Sequence, residues 1–274
     1  MLNVKRTILS FYSLLVIVGI FLFYLIFLEF NNQLQVYFLD VGQGDSVLIK
    51  TSNNIKIVID GGPDNTLVYK LGEYLPFYDR HIDLMVLTHP DSDHLVGLVE
   101  VLKRYKVKYV LMSGIDDDLP AYTEFLQKIK QQDIRVLLTS DVRVITLGSS
   151  LLLDVLSPDS MTKFSTNNQA SLVLRLTNGN DSILFMGDAP SRIERKLLDN
   201  NLIKETAILK IGHHGSNTSS NLDFLKAVNP RLAIISVGEN RYGHPHRSVL
   251  KRLLDLSITT ATTWDQGDIK MALP

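Results

Sequence analysis

The chain opens on an uncharged, almost wholly apolar run from Thr7 to Leu28, and beyond residue 33 its apolar positions fall into short blocks. LQVYFLD, SVLIK, IKIVID and DLMVLTH have strand character. The last two are near-continuous apolar runs, as expected of strands covered on both faces. Helix signals follow over 66–75, 94–105 and 120–132. A second strand-rich block then contains IRVLL, VRVITL, SLLLDVL, ASLVLRL and SILFMG. It leads into a helix over 189–200, the strand ETAILKIG, a helix near 219–228, the strand RLAIISVG, a helix near 247–256 and a final pair, ITTATTW and DIKMAL. Each half runs strands first and strand–helix alternation second, with no Pro/Gly/Ser-rich linker between. Two mixed sheets packed face to face, with helices outside, would use every element in one α/β domain over 31–274.

The apolar run itself changes the picture of where this domain sits. Its 22 residues match the roughly 20 needed to cross a hydrocarbon core, whereas a cleavable signal has about 7–15 apolar residues and a small-residue cleavage site. Residues 1–30 therefore read as a single-pass membrane anchor. Lys5 and Arg6 on the short flank should stay inside, which places the domain outside the cytoplasm. Residues 1–30 hold two bases and one acid; from totals of 28 and 29, the remainder keeps 26 against 28. That balance speaks against a protein holding nucleic acid by bulk positive charge. With no cysteine, disulfides, thiolate metal sites and cysteine nucleophiles are excluded, so any metal must be held by His, Asp, Glu or Asn.

Polar clusters interrupt the pattern at the carboxyl ends of the predicted strands: VGQGDS, GGPDN, HPDSDH, DAP, HHGSNTSS and ENRYGHPH. Ligand sites in open α/β sheets gather at such ends, because the loops converge over one edge. Six of the seven histidines (89, 94, 213, 214, 244 and 246) lie in these loops, and only His81 does not. In HPDSDH an extended chain would project His89 and Asp91 to one side, with Asp93 and His94 turning into the next helix. Two such pairs could bind two metals side by side. An aspartate capping the helix is the competing reading, but a cap needs one Asp and neither His. Asp188, ahead of Pro190, could likewise cap a helix or bridge two metals. Asn167, Asn168 and Ser171 could orient a ligand or contact substrate, although turn chemistry also accounts for Asn-Asn. Of His244 and His246, one is expected in the site and the other at the surface.

The blocks FLDVGQGDSVLI, IVIDGG, LTHPDSDHLVGL, NNQASLVLRL, LFMGD, LKIGHHGSNTSS and YGHPH occur in that order across residues 36–250. In this the chain resembles the metallo-β-lactamase superfamily, through H-x-[HD]-x-D-H, and more narrowly the metallo-β-lactamase-like domain of the ComEC family of competence proteins. The resemblance implies a four-layer αββα sandwich with a dinuclear metal site at one edge, and hydrolysis as the reaction. Two departures stand out. ComEC proteins carry a multi-helix membrane channel, whereas this chain has one predicted span; and no histidine lies between His94 and Asp188, with Asn168 near the place where the superfamily often has one.

The expected site follows. His89 and Asp91 hold one metal, Asp93 and His94 the other, and Asp188 bridges them. His213 or His214 completes the second metal or protonates the leaving group, and His244 is the other candidate for either duty. Asp60 orients a ligand histidine, while Asp40 and Asp45 line the edge. Water between the metals would be the attacking hydroxide. Replacing a histidine by Asp91 makes the ligand set richer in oxygen, which favours Mn²⁺ over Zn²⁺. The expected function is a membrane-tethered, metal-dependent hydrolase of phosphodiester bonds, with DNA the substrate the resemblance suggests. A small or cell-wall-linked phosphodiester is the second reading, and a non-enzymatic binding module on a decayed hydrolase fold the third.

Overall fold

The computed structural model describes residues 11–23, 33–148, 151–159 and 164–273. Residues 11–23 are helical (α1) with exposed side chains, and the rest of the Thr7–Leu28 run lies outside the described residues. Among the described residues no helix is long and apolar enough to cross a membrane. The expected spanning helix is thus not displayed, because the part of it that is described is shorter than a bilayer core requires.

The remaining elements form two seven-stranded sheets. The first contains β1 (Leu34–Phe38), β2 (Val47–Lys50), β3 (Lys56–Ile59), β4 (His81–Val86), β5 (Lys106–Met112), β6 (Arg135–Leu138) and β14 (Ile269–Leu273), in the order β14-β1-β2-β3-β4-β5-β6. The second contains β7 (Val144–Leu147), β8 (Leu151–Ser157), β9 (Val173–Asn178), β10 (Asp181–Phe185), β11 (Ile208–Lys210), β12 (Leu232–Ile235) and β13 (Thr259–Thr262), in the order β13-β12-β11-β10-β9-β8-β7. In each sheet antiparallel hairpins come first and parallel crossovers follow: β3 to β6 are parallel in one, β10 to β13 in the other. The last strand, β14, returns to the first sheet and pairs with β1, Leu34 opposite Leu273.

Period-two alternation sends one face of each strand into the gap between the sheets. Val36, Phe38, Ile49 and Ile57 meet Leu153, Leu174, Ile183 and Phe185 there, with the Phe38 and Phe185 rings 6.0 Å apart. The opposite faces are covered by helices. On the first sheet these are α2 (Thr66–Tyr74), α3 (Ser92–Leu102) and α4 (Pro120–Gln131), whose Leu95, Leu98, Tyr122 and Phe125 pack on Val58, Met85 and Val110. On the second, α5 (Ser191–Asp199), α6 (Leu222–Val228) and α7 (Arg247–Asp255) bury Ile193 and Leu197, Phe224 and Leu225, and Val249 and Leu253. A short α8 (Thr263–Gln266) follows β13. The result is the expected αββα layering.

This topology makes one rim. In register, Ile59 lies beside Val86 at the ends of β3 and β4, and Phe185 beside Lys210 at the ends of β10 and β11. The loops after β3, β4, β10, β11 and β12, with the β1–β2 loop, therefore converge. A hydrogen bond from Leu172 N to Thr88 O, 3.0 Å, ties the two sheets together at this edge. Two glycines allow α3 to sit close: a Cβ on Gly97 would lie 1.9 Å from Gly61 O. With both present, Gly61 N donates to His94 O at 2.7 Å and the start of α3 is clamped over the rim.

Candidate metal centre

The second motif residue shows how the local fold serves the site. Asp91 occupies the N-cap position of α3, yet its side chain makes no capping hydrogen bond. Instead Oδ1 accepts from Asn167 Nδ2 at 2.7 Å, and the same amide donates to Asp117. The carboxylate is thus held for something in front of the helix. Asp93 and His94 lie in the first turn, with His94 fully buried.

Three buried histidines are fixed by what their Nδ1 atoms touch. His94 Nδ1 donates to Asp60 Oδ2 at 2.8 Å. Thr88 Oγ1 donates to the same carboxylate at 2.7 Å, so Oγ1 is left to accept from His89 Nδ1 at 3.0 Å. His214 Nδ1 donates to Ser236 O at 2.9 Å. With each Nδ1 carrying the proton, each Nε2 presents a lone pair. All three Nε2 atoms are buried with no hydrogen-bond partner, as is Asp188 Oδ1. Buried polar atoms are normally paired, so four orphans gathered in one place are compatible with a cation site.

The separations fit. His94 Nε2 is 3.4 Å from Asp188 Oδ1, and His214 Nε2 is 3.2 Å from Asp93 Oδ2 and 3.6 Å from Asp188 Oδ2. On the other side His89 Nε2 is 3.5 Å from Asp91 Oδ2 and 3.9 Å from Asp188 Oδ2. Donor atoms about 2.1 Å from one ion lie about 3.4 Å apart in a tetrahedron. His89, His94 and Asp188 form one compact donor set, and Asp93, His94 and His214 another. The two sets share His94, and Asp188 of the first also reaches His214 of the second; the Asp188 backbone N donates to Ser171 Oγ at 3.2 Å. His213 reaches Asp188 Oδ2 at 3.7 Å, with Asn168 Nδ2 at 3.4 Å from its Nε2 and Thr218 Oγ1 at 3.1 Å from its Nδ1.

Beneath the donors lies a pair that the strand pattern does not reveal. Lys210, buried at the end of β11, is 2.5 Å from Asp45 Oδ2, and Asp45 Oδ1 is 3.3 Å from His214 Nδ1. Asp45, Asp60, Asp91, Asp93 and Asp188 thus bring five carboxylates together against one lysine. The excess of four negative charges equals the charge of two divalent cations. The same imbalance acts on the imidazoles. Burial disfavours charge on His94, but Asp188 and Asp60 outweigh it and raise its pKa well above the ordinary value. Burial opposes charge on His214 too, and Asp188 and Asp45 lift its pKa to about 10. Protonation there is the cluster drawing in positive charge. Bound cations would supply that charge and leave the imidazoles neutral.

His213 and His214 both adopt left-handed backbone angles, φ 52° and 51°. Consecutive non-glycine residues in that region are strained, and such strain collects at functional sites. It lets both rings of the turn face the rim. His244 lies beside them, its ring 5.5 Å from that of His213 and 6.4 Å from that of His214, but in none of the compact donor sets. Burial, then His213 and His214, push its pKa down to about 4. His246 caps α7, accepting from Ser248 N at 3.2 Å. Asp40 accepts from Gly42 N in its own loop at 3.1 Å, outside the donor sets. Asp91, Asp93, Asp188, His213, His214 and His244 border an open cavity of about 300 Å³. Thr88 and Lys210 are positioning residues that the sequence reading passed over. A lysine closing an apolar strand was the available signal for the second; nothing marked the first.

The model of the metallo-beta-lactamase superfamily matches residues 39–239, which takes in β2 to β12 and all the residues of both donor sets. The chain belongs to this superfamily. Among its curated relatives, ComE operon protein 3 of Bacillus subtilis (strain 168) is 30% identical over 258 residues, covering 88% of this chain and 33% of that protein. Competence protein ComA of Neisseria gonorrhoeae is 30% identical over 251 residues, covering 89% of this chain and 33% of that protein. The superfamily domain described here thus spans about a third of the length of these competence-type relatives. Among solved structures, the metallo-beta-lactamase fold protein YhfI from Bacillus subtilis superposes with a TM-score of 0.60 at 12% identity, covering 88% of this chain and all of that one. At that identity the likeness speaks for the fold.

Proposed function

We propose that the chain is a dinuclear metal-dependent phosphodiesterase acting on DNA, held at the membrane by its N-terminal apolar run with the catalytic domain outside the cytoplasm. One observation carries the reading: the unpartnered Nε2 atoms of His89, His94 and His214 lie 3.9, 3.4 and 3.6 Å from the Asp188 carboxylate, and Asp188 and His214 border an open cavity. In the first position His89, Asp91 and Asp188 would hold a cation, with His213 the nearest further imidazole. In the second, Asp93, His94, His214 and Asp188 would hold its partner. Bound divalent ions would supply Lewis acidity to a phosphoryl oxygen and lower the pKa of water. The chain's own side chains do the rest. Asp60 keeps the proton of His94 on Nδ1, and Thr88 does so for His89, which leaves both Nε2 atoms free as ligands. Asn167 holds the Asp91 carboxylate at the cavity. His244, neutral near pH 7, faces the cavity as a hydrogen-bonding group for a phosphoryl or leaving oxygen. The share of carboxylates supports Mn²⁺ as the preferred ion over Zn²⁺.

DNA as substrate is supported by the likeness to competence proteins. The small cavity also suits a small or cell-wall-linked phosphodiester, and the full donor set argues against a decayed, non-enzymatic module. The test is turnover by the purified chain with Mn²⁺, Zn²⁺ or Mg²⁺ on labelled single- and double-stranded DNA and a chromogenic phosphodiester, with Asp93→Ala as control. Mn²⁺-dependent cleavage of DNA lost in the variant is expected; no metal-dependent cleavage of any of the three would refute the reading. For the anchor, protease added to intact cells should remove the domain, and full protection would overturn its placement.

A further inference from the structure

The loop between β12 and α7 carries an aromatic ring that neither the fold nor the donor set requires. Tyr242 is 75% exposed and borders the same cavity as the donors. Its ring stacks on that of His244, 5.7 Å between centroids at an interplanar angle of 28°. Exposed aromatics are common singly and need no explanation, but this one is fixed in place. Asn240 Nδ2 donates to Gly238 O and to His244 O, each at 2.8 Å, while Asn240 Oδ1 accepts from Tyr242 N at 3.1 Å and from His244 N at 3.0 Å. One side chain thus staples the backbone of the exposed ring to that of the imidazole beneath it. At its root the loop is pinned against the β1–β2 loop, where a Cβ on Gly238 would fall 2.5 Å from Gly42 C.

We propose that Tyr242 is a stacking platform for a nucleobase of an unpaired strand, so that the substrate is single-stranded nucleic acid; this rests on the phosphodiesterase reading above. His244 covers one face of the phenol ring and the other is open to solvent at the cavity mouth. A base stacked there would bring its strand to the cavity that Asp93, Asp188 and His214 also border. A paired base has both faces occupied by its neighbours in the duplex, whereas an unpaired one can be splayed onto an aromatic side chain. Stacking is tolerant of base identity, because every base has a π-face. The affinity that stacking itself adds does not depend on charge, which suits a domain of slightly acidic balance.

The test measures binding apart from turnover. The 274-residue chain in detergent micelles, with Ca²⁺ as the cation, is titrated into a short single strand carrying 2-aminopurine, whose fluorescence is quenched on stacking. Tyr242→Ala should weaken binding about 5- to 100-fold and abolish the quench, and Tyr242→Trp should keep both. On a strand with an abasic site in place of the fluorescent base, followed by an end label, wild type and Tyr242→Ala should bind alike. The proposal is overturned if Tyr242→Ala binds the intact strand like wild type, if its loss is equal on the abasic strand, or if wild type binds no strand. Failure of the phosphodiesterase reading would instead appear as no cleavage with Mn²⁺, Zn²⁺ or Mg²⁺, whatever the quench.

Discussion

Asp60 Oδ2 accepts the Nδ1 proton of His94 at 2.8 Å and, through Thr88 Oγ1, governs the orientation of His89 as well. One buried carboxylate outside the proposed ligand set thus orients an imidazole on each side of the centre. Asp60 itself has φ 58°, a left-handed conformation that aspartate tolerates better than most residues.

Asp60→Asn is therefore expected to lower metal affinity about 10- to 100-fold while the protein stays folded, since outer partners of ligating histidines carry effects of that size. Chelator competition with Mn²⁺ or Zn²⁺ measures it. Affinity equal to wild type would contradict the assigned role.

Lys210 and Asp45 are both buried and 2.5 Å apart. Removing only the lysine, as in Lys210→Met, strands a buried carboxylate and should cost about 3–5 kcal/mol in urea unfolding. Asp45→Asn added to it should recover part of that loss. A single variant within about 1 kcal/mol of wild type would mean the pair does not act as a buried ion pair.

Glu194 gives a pH dependence of its own, outside the donor sets. It is fully buried on α5 and accepts from Ser220 N and from Asn221 N at the start of α6. Burial, only partly offset by those donors, raises its pKa from 4.5 to about 7. A raised folded pKa gives a contribution that is complete below pH 4.5 and lost as pH rises through 7, about 3 kcal/mol in all. Unfolding free energies of Glu194→Gln should lack that slope, and parallel curves from pH 4 to 8 would count against it.

Gly97→Ala should destabilise the protein by about 1–3 kcal/mol or more, because its Cβ would lie 1.9 Å from Gly61 O and α3 would have to move. As His94 travels with α3, metal affinity should fall alongside the thermal midpoint. A stable variant that binds metal normally would show that the close approach is not needed.

Asp91→His replaces an oxygen donor held by Asn167 with an imidazole. The ratio of Zn²⁺ to Mn²⁺ affinity should rise, by about tenfold if one ligand is exchanged at a favourable position. An unchanged ratio in competition titrations would remove Asp91 as the source of metal preference.

Much of the fold and part of the site were legible along the chain. Period-two and near-continuous apolar runs told strands from helices, because burial on one face or two leaves a local periodicity. Predicted helices such as 120–132 lie within a residue of the observed Pro120–Gln131. The 189–200 and 219–228 signals began early, since Pro190 and Asn221 stand at the N-caps of α5 and α6 rather than inside them. Strand ends rich in His and Asp located the rim, and HPDSDH named its central residues.

The sequence by itself determined which side chains could meet: donors at the carboxyl ends of strands, with an excess of acid and no thiol. Only the tertiary structure decided how they meet. It put Asp91 at the N-cap of α3 yet gave its carboxylate to Asn167, separated His246 as a cap from His244 beside the cavity, and set Lys210 against Asp45 across two sheets. It also assigned the Nδ1 proton of each proposed ligand histidine through Asp60, Thr88 and Ser236. These contacts join loops distant in the chain, and their geometry follows from strand register and sheet packing. A local pattern records what a residue is and which face it takes, but carries no signal for the partner that folding brings opposite it.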